Sequence, residues 1–472
     1  MNAVIQKLKE RGYDTVDESF YTHIDDWKSW YQGDVKSFHR YKVRNGKKTV
    51  KCKLYTLQMA KMVAEDWANL LMNEKVAITA EGKAEQEFLD DVFTRNNFRV
   101  KANEMQELKM ALGTVAYLPR VIGANATQDG VLIDADGIEL DYVTVEHIYP
   151  ISWKCGKITE CCFESEFTQN DKEYSYLQIH HLVNGKYDID NLFFEMLDGK
   201  FGAEVRAEEI KGYETIPAVI HTESEKRQFV IDKPNIANNV DIDTPLGISV
   251  YANAIDALKG VDIAYDSYVN EFALGKKRIM VKPSATTYLD GEPVFDTSDV
   301  MFYVLPEDVS DGAVITPIDM TLRTAEHNTG IQDQLNMLSS RCGFGENHYR
   351  FDGGSVATAT QIVSENSTLF RTLKKHEIIL EDVLIELCRI ILRLGNSIGK
   401  QLNEEVEISI DFDDSIIEDK GADFARDLQL LAAGILNDWE FRMKWLNEDE
   451  ETAKAALPRM EMMVTEPQTE VE

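Results

Sequence analysis

The stretch from Ser355 to Asn396 holds a helical apolar pattern throughout, and no other feature constrains the chain as much. A helix of roughly 40 residues spans about 60 Å, more than the width of a small domain. Directly before it runs Gly343-Phe-Gly-Glu-Asn-His-Tyr-Arg-Phe-Asp-Gly-Gly354. Gly343, Gly345, Gly353 and Gly354 permit backbone angles that other residues avoid, so this loop is expected to be mobile and hinged at those four positions. Loops of such length without structure of their own are uncommon unless functional. A mobile loop on a long lever points to a device that grips or gates, not to a pocket that does chemistry.

The lever needs a body, and 472 residues suffice for two to four structural regions. Hydrophobic content of 44% with 11 Pro and 27 Gly is that of an ordered chain. The formal net charge of −32 argues against a clamp that holds nucleic acid by neutralising phosphates. Met1 to Gly12 alternates charge with short apolar steps and does not read as a signal peptide. Ile378–Leu394 is the nearest approach to a membrane span, and Glu381, Asp382, Glu386, Arg389 and Arg393 break it. Six Cys without a small-domain framework suggest reduced thiols in a cytoplasmic setting.

Residues 1–110 read as mostly helical. Leu57, Ala60, Val63, Ala64, Trp67, Leu70 and Leu71 mark one apolar face, and 94–111 continues in the same style. From about 115 to 230 the pattern shortens to alternating strands. Residues 131–142 are expected to form a hairpin about Asp134-Ala-Asp-Gly137, and 176–187 another about Asn184-Gly185. Thr244-Pro245 is expected to open a helix that runs to Leu274. Its stripe is Ile248, Tyr251, Ile255, Leu258, Val261, Tyr265, Tyr268 and Phe272. A strand-and-turn insert at 279–318, a helix at 320–340, the Gly-rich loop and the long helix follow. A strand at 405–411 and an acidic helical segment at 422–456 complete the pattern, which is of mixed α+β class.

Catalytic and metal signatures are weak. Gly395-Asn-Ser-Ile-Gly-Lys400 is one residue short of a phosphate loop and leaves a helix, so it reads as a helix stop. Asp411, Asp413 and Asp414 are the residue types that hold Mg²⁺ in nucleases, as are Asp241 and Asp243. Among 82 acidic residues they read first as a solvated strand end and a turn. Cys155, Cys161 and Cys162 with His147, His180 and His181 lack the paired spacing of a zinc knuckle. Neither a nucleophile elbow nor a dinucleotide fingerprint is present, and no cofactor or metal is expected.

Four stretches, in order, carry a resemblance: Trp27-Lys-Ser-Trp-Tyr-Gln-Gly33, Lys61-Met-Val-Ala-Glu-Asp-Trp-Ala-Asn-Leu-Leu71, Gly247-Ile-Ser-Val-Tyr-Ala-Asn-Ala-Ile-Asp-Ala-Leu258 and Thr358-Ala-Thr-Gln-Ile-Val-Ser-Glu-Asn-Ser367. Over nearly its whole length the chain resembles portal proteins of long-tailed phages of Gram-positive hosts. That resemblance implies a mainly helical portal fold with long stem and wing helices, a β-rich wing region and a small α/β clip. The wing would be 1–240, the first stem helix 241–278, the clip 279–318 and the second stem helix 319–342. The tunnel loop would be 343–354, the long wing helix with its return strand 355–414, and the crown with its acidic tail 415–472.

The resemblance further implies a homo-oligomeric ring, usually a dodecamer, at one capsid vertex, assembled in the host cytoplasm and carried in the virion. Double-stranded DNA would pass through it during packaging by terminase and again at ejection. Its partners would be the major capsid and scaffolding proteins and a head–tail adaptor, with no membrane and no catalysis. Arg341, Asn347, His348 and Arg350 would face DNA in the channel. Met301, Phe302 and Tyr303 would bind partners at the clip. The alternative is a metal-dependent DNA-processing enzyme built on Asp411, Asp413 and Asp414.

Overall fold

The structure is a computed structural model. It describes residues 3–45, 48–73, 76–123, 125–126, 132–133, 136–275, 278–281, 288–289, 292–293, 302–304, 315–318, 321–351, 359–412, 420–446 and 448–456. The chain divides into two compact units, 1–412 and 413–472.

The first unit opens with α1 (Ala3–Glu10), α2 (Glu18–Tyr31) and α3 (Lys36–His39). Asp17 caps α2 by accepting from the Ser19 N–H at 2.8 Å. Then comes a hairpin of β1 (Arg40–Asn45) and β2 (Lys48–Lys53), inside a region expected to be mostly helical. Next are α4 (Met59–Leu71), β3 (Ala77–Ala80), α5 (Lys83–Arg95) and α6 (Phe98–Leu112). The expected helical run through residue 95 breaks there, because Asn97 takes a left-handed φ of 49°.

The β region contains β4 (Val115–Ile122), β5 (Asn125–Ala126), β6 (Leu132–Ile133) and β7 (Gly137–Thr144). The hairpin expected across 131–142 does not form. Strand β7 pairs with β4 along its whole length, while β6 pairs with β5. The long partner wins because eight residue pairs close at once, with Ile138, Leu140 and Val143 all buried. The second expected hairpin is present. Strands β8 (Ile148–Lys154), β9 (Lys157–Gln169), β10 (Lys172–Val183), β11 (Lys186–Leu197) and β12 (Lys200–Val205) run in the order β12-β11-β10-β9-β8. Asn184 and Gly185, with φ of 54° and 85°, turn β10 into β11. β13 (Val219–His221) also pairs with β11, and β14 (Val230–Asp232) pairs with β4.

One face of this sheet packs on α1: Val4, Ile5 and Leu8 meet Tyr149, Cys162, Leu177, Ile179 and Phe194. A second core surrounds α9 (Ala359–Ser397), the long helix, 39 residues and about 58 Å. From Leu380 to Leu394 its apolar residues other than the half-buried Ile385 are buried within the single chain. The most membrane-like stretch of the sequence is therefore core, and among the described residues no helix is long and apolar enough to cross a membrane. At the helix end the Lys400 N–H bonds the Gly395 carbonyl at 3.0 Å and Gly399 takes φ of 87°, so the phosphate-loop-like segment is a helix stop.

α7 (Ile255–Leu274) begins about ten residues later than expected. Residues 245–251 are instead pressed against the end of α6. The Val250 N–H bonds the Met110 carbonyl at 2.9 Å, and the Gly247 N–H bonds the Thr114 hydroxyl at 2.9 Å. The insert follows with β15 (Arg278–Val281), β16 (Tyr288–Leu289), β17 (Glu292–Pro293), β18 (Phe302–Val304) and β19 (Ile315–Ile318). Strands β18 and β19 flank β15, and β16 pairs with β17. α8 (Thr324–Arg341) returns the chain, and β20 (Ile408–Asp411) pairs with β3.

The second unit holds α10 (Lys420–Ala432), α11 (Asp438–Leu446) and α12 (Glu450–Ala455), as the pattern predicted. Asp427 organises it, accepting from Lys444 Nζ at 2.6 Å and the Trp445 indole at 3.2 Å. The Lys444 contact is the first cause holding its carboxyl below the usual range.

Candidate functional site

The helices α7 and α8 run antiparallel and share one face. Arg323 at the start of α8 grips Glu271 near the end of α7, with Nε–Oε1 of 3.1 Å and Nη2–Oε2 of 2.9 Å. That guanidinium, with help from His327, holds the Glu271 carboxyl down at about 2. Midway, Gly260 lies against Gln334, where a Cβ would come within 2.2 Å of Gln334 Oε1. At the far end Arg341 reaches the Asn253 carbonyl at 3.4 Å. The expected apolar stripe is thus two things. Ile248, Tyr251, Leu258 and Val261 are core, whereas Ile255, Tyr265 and Tyr268 are half-buried and Phe272 stays 43% exposed.

The buried side of α7 carries two carboxylates that the apolar pattern concealed. Asp262 accepts from the Leu57 N–H at 3.0 Å and from His39 Nε2 at 3.0 Å. Asp266 accepts from the Tyr55 N–H at 3.0 Å. The Val35 N–H donates to His39 Nδ1 at 2.9 Å, which leaves Nε2 to carry the proton towards Asp262. These bonds moor the base of the β1–β2 hairpin to α7. The signal was available in sequence: acidic residues at i and i+4 on an apolar face need buried donors.

Beyond α8, residues 342–351 form a packed knot, and the expectation of a mobile loop along 343–354 does not hold for this part. Phe344 stacks on Trp67 with centroids 4.7 Å apart and on His348 at 4.2 Å. Phe344 and Tyr349 are buried, and burial beside Asp66 pushes the Tyr349 hydroxyl pKa far up. Gln332 fastens the segment, donating to the Tyr349 carbonyl at 2.8 Å and accepting from the Phe351 N–H at 2.9 Å. Gly343 and Gly345, with φ of 89° and 90°, are the turns of this knot.

Of the four residues expected to face DNA, His348 is stacked on Phe344 with Nε2 3.5 Å from Asp66. Arg341 and Arg350 are exposed, the latter bonded through Nε to the Asn347 carbonyl at 3.4 Å. Asn347 is half-buried at φ of 61°. Gly353, Gly354 and Ser355 lie outside the described residues, as does Met301. Phe302 and Tyr303 lie in β18, an edge strand of its sheet among the described residues.

Asp411 ends β20 opposite Ala77 and is exposed, while Asp413 and Asp414 lie outside the described residues. Asp241 and Asp243 shape a turn, the Asp243 N–H donating to Asp241 Oδ1 at 3.1 Å. Cys161 and Cys162 are adjacent in β9 and so point to opposite faces, and burial drives both thiols well up. Among the described residues no three His, Cys, Asp or Glu side chains gather as a metal site.

A buried polar centre joins α6 to β14. Lys109 Nζ lies 3.2 Å from Asp232 Oδ1, and Gln106 donates to Asp232 Oδ2 at 2.8 Å and to the Tyr117 hydroxyl at 3.1 Å. Burial lowers the Lys109 pKa despite its partner. These groups hold one another as an internal brace, with only the Gln106 side-chain oxygen left without a partner among the described residues.

The described side chains thus brace and join, and the comparisons agree with a structural part. A family model described as "Phage portal protein, SPP1 Gp6-like" matches residues 12–456. No curated protein matches the chain. Among solved structures, one chain titled "Neck of native GTA particle computed with C12 symmetry" is similar at 12% identity and a TM-score of 0.38, covering 82% of this chain and 87% of that one. The family match takes in every element from α2 to α12, and the chain belongs to the SPP1 Gp6-like family of phage portal proteins.

Proposed function

We propose that copies of this chain close into a ring, a dodecamer, at one capsid vertex. Double-stranded DNA is driven inward through the ring by a terminase and later leaves through it. The observation that carries this reading is the portal-family match across 12–456. In this reading 1–240 and part of α9 form the wing, α7 and α8 the stem, 279–318 the clip, 343–354 the tunnel loop and 415–472 the crown.

Three features support it. The antiparallel pair α7/α8 with a β insert at one end has the form of a barrel stave with a projecting tip. Ile263 and Phe272 on α7, and Met337 on α8, leave apolar surface for a neighbouring stave. A net charge of −32 suits a wall along which a polyanion slides, because unneutralised phosphates release no counterions. Arg341, Asn347 and Arg350 then touch DNA transiently, and β18 offers a strand edge to a terminase or a head–tail adaptor. Major capsid and scaffolding proteins meet the wing. The ring conducts and does not catalyse.

The test is light scattering on the size-exclusion eluate with negative-stain microscopy. Rings with a central hole are expected. A well-folded monomer at high concentration overturns the reading.

A further inference from the structure

The hairpin β1–β2 is a sheet of two strands with no third among the described residues, an arrangement marginal in water by itself. Its register sorts the side chains by chemistry. Arg40 faces Lys53, Lys42 faces Lys51 and Arg44 faces Thr49, so one face carries five cations. Tyr41 faces Cys52 and Val43 faces Val50, so the other face is apolar up to the Asn45–Lys48 pair at the turn. Tyr41, Val43 and Val50 are 40%, 44% and 46% exposed.

Among the described residues neither face is fully satisfied. At the base, Arg40 and Lys53 share Asp34, at 2.5 and 3.8 Å. Lys42, Arg44 and Lys51 have no ion-pair partner among the described residues, and like charges set opposite one another across a hairpin destabilise it. Residues 40–53 hold seven Lys or Arg and no Asp or Glu. Setting those seven aside leaves 43 cations against 82 acids, a balance of −39 for the rest of the chain.

We propose that this amphipathic hairpin is an arm that docks on the acidic body of a second copy of the chain. The inference rests on the ring reading above for the order of the subunits. DNA would engage the cations and leave Tyr41, Val43 and Val50 wet, whereas a protein surface takes both faces. A second copy supplies carboxylates beside exposed apolar side chains. On α9, for example, Ile378 is 61% exposed and the exposed Glu381 and Asp382 follow one turn later. A basic arm on an acidic body joins two different patches, which is the head-to-tail class of contact that closes rings.

The test places the photo-cross-linker p-benzoylphenylalanine at position 50 of the full chain, with and without a DNA duplex, and counts rings by negative stain. The expected result is a covalent link to residues outside 40–53 of another copy. Such a link without rings upholds the arm and overturns the ring reading. Rings without the link, a link to the same hairpin of another copy, or a link to DNA in its place overturns the arm and leaves the ring reading standing. Neither rings nor links overturns both. Lys42→Glu with Arg44→Glu and Lys51→Glu is expected to cut the inter-chain yield about tenfold, because charge complementarity sets which surfaces meet. An unchanged yield overturns the charge argument.

Discussion

The indole N–H of Trp67 donates to the carbonyl of Cys342 at 3.0 Å, across 275 residues of sequence. The same ring stacks on Phe344 and meets His376 edge-on at 5.1 Å, so one side chain joins α4, the turn after α8 and the long helix.

Trp67→Ala is therefore expected to cost about 3–5 kcal/mol, the usual loss for a fully buried large aromatic. Trp67→Phe keeps most of the packing and strands the carbonyl, at about 1 kcal/mol. Urea midpoints at unchanged slope measure both. Equal losses for the two variants would show that the hydrogen bond, not the ring, carries the joint.

Acid should weaken the fold in a defined window. Burial lowers both His180 and His376 to about 3, from 6.5. His180 lies between Phe163 and Phe229, and His376 Nδ1 accepts from the Asn235 N–H. With folded values below the unfolded value, the unfolded chain takes up protons first as pH falls. Each histidine then removes up to about 1.4 kcal/mol per pH unit below 6.5. His147 is raised by Glu164, so its contribution is lost only as pH rises above 6.5. Glu271, held at about 2, withdraws its contribution only below 4.5. Denaturation midpoints should fall between pH 6.5 and 4.5, and His180→Phe should flatten that slope; a flat wild-type profile contradicts the assignment.

Gly247→Ala should destabilise the chain by about 1–3 kcal/mol, as overpacking of a tight core does. A Cβ there would lie 2.2 Å from the Gly113 carbonyl oxygen, a backbone atom that cannot swing aside. Thermal melts of this variant beside Gly330→Ala, whose Cβ meets nothing, separate crowding from the general effect of replacing glycine by alanine.

Deleting 284–296 is expected to leave ring yield nearly unchanged and to abolish docking of terminase or adaptor. Pull-down with either partner, beside ring counts by microscopy, measures this. If rings vanish with the docking, the insert is an assembly element.

In the proposed portal reading assembly rests on the packed helices and passage on the loop, so Gly353→Val combined with Gly354→Val is expected to leave rings and procapsids intact while little DNA is packaged. Genome length per particle is the readout. Normal packaging reduces 343–354 to a connector.

Much of the fold was legible because its signals are local. The apolar period of 355–396 gave a helix at Ala359–Ser397, and Asn184-Gly185 gave a hairpin, since two left-handed residues in a row suit one turn type. The carboxylates Asp262 and Asp266 were passed over in the apolar stripe, although acids at i and i+4 beside it call for buried donors. Their partners, His39 and the amides of Tyr55 and Leu57, lie more than 200 residues away in sequence.

What only the tertiary structure decided has the same origin throughout. The start of α7 moved because Gly247 meets Gly113 and Thr114, more than 130 residues upstream. The glycines of 343 and 345 became turns of a packed knot because Trp67, Asp66 and Gln332 converge there. The strand at 137–144 took β4 as its partner, not its nearest neighbour. Periodicity and turn chemistry follow from a residue and its immediate neighbours. Which loop is held, which strand pairs and which carboxylate is satisfied depend on groups that folding alone brings within hydrogen-bond reach.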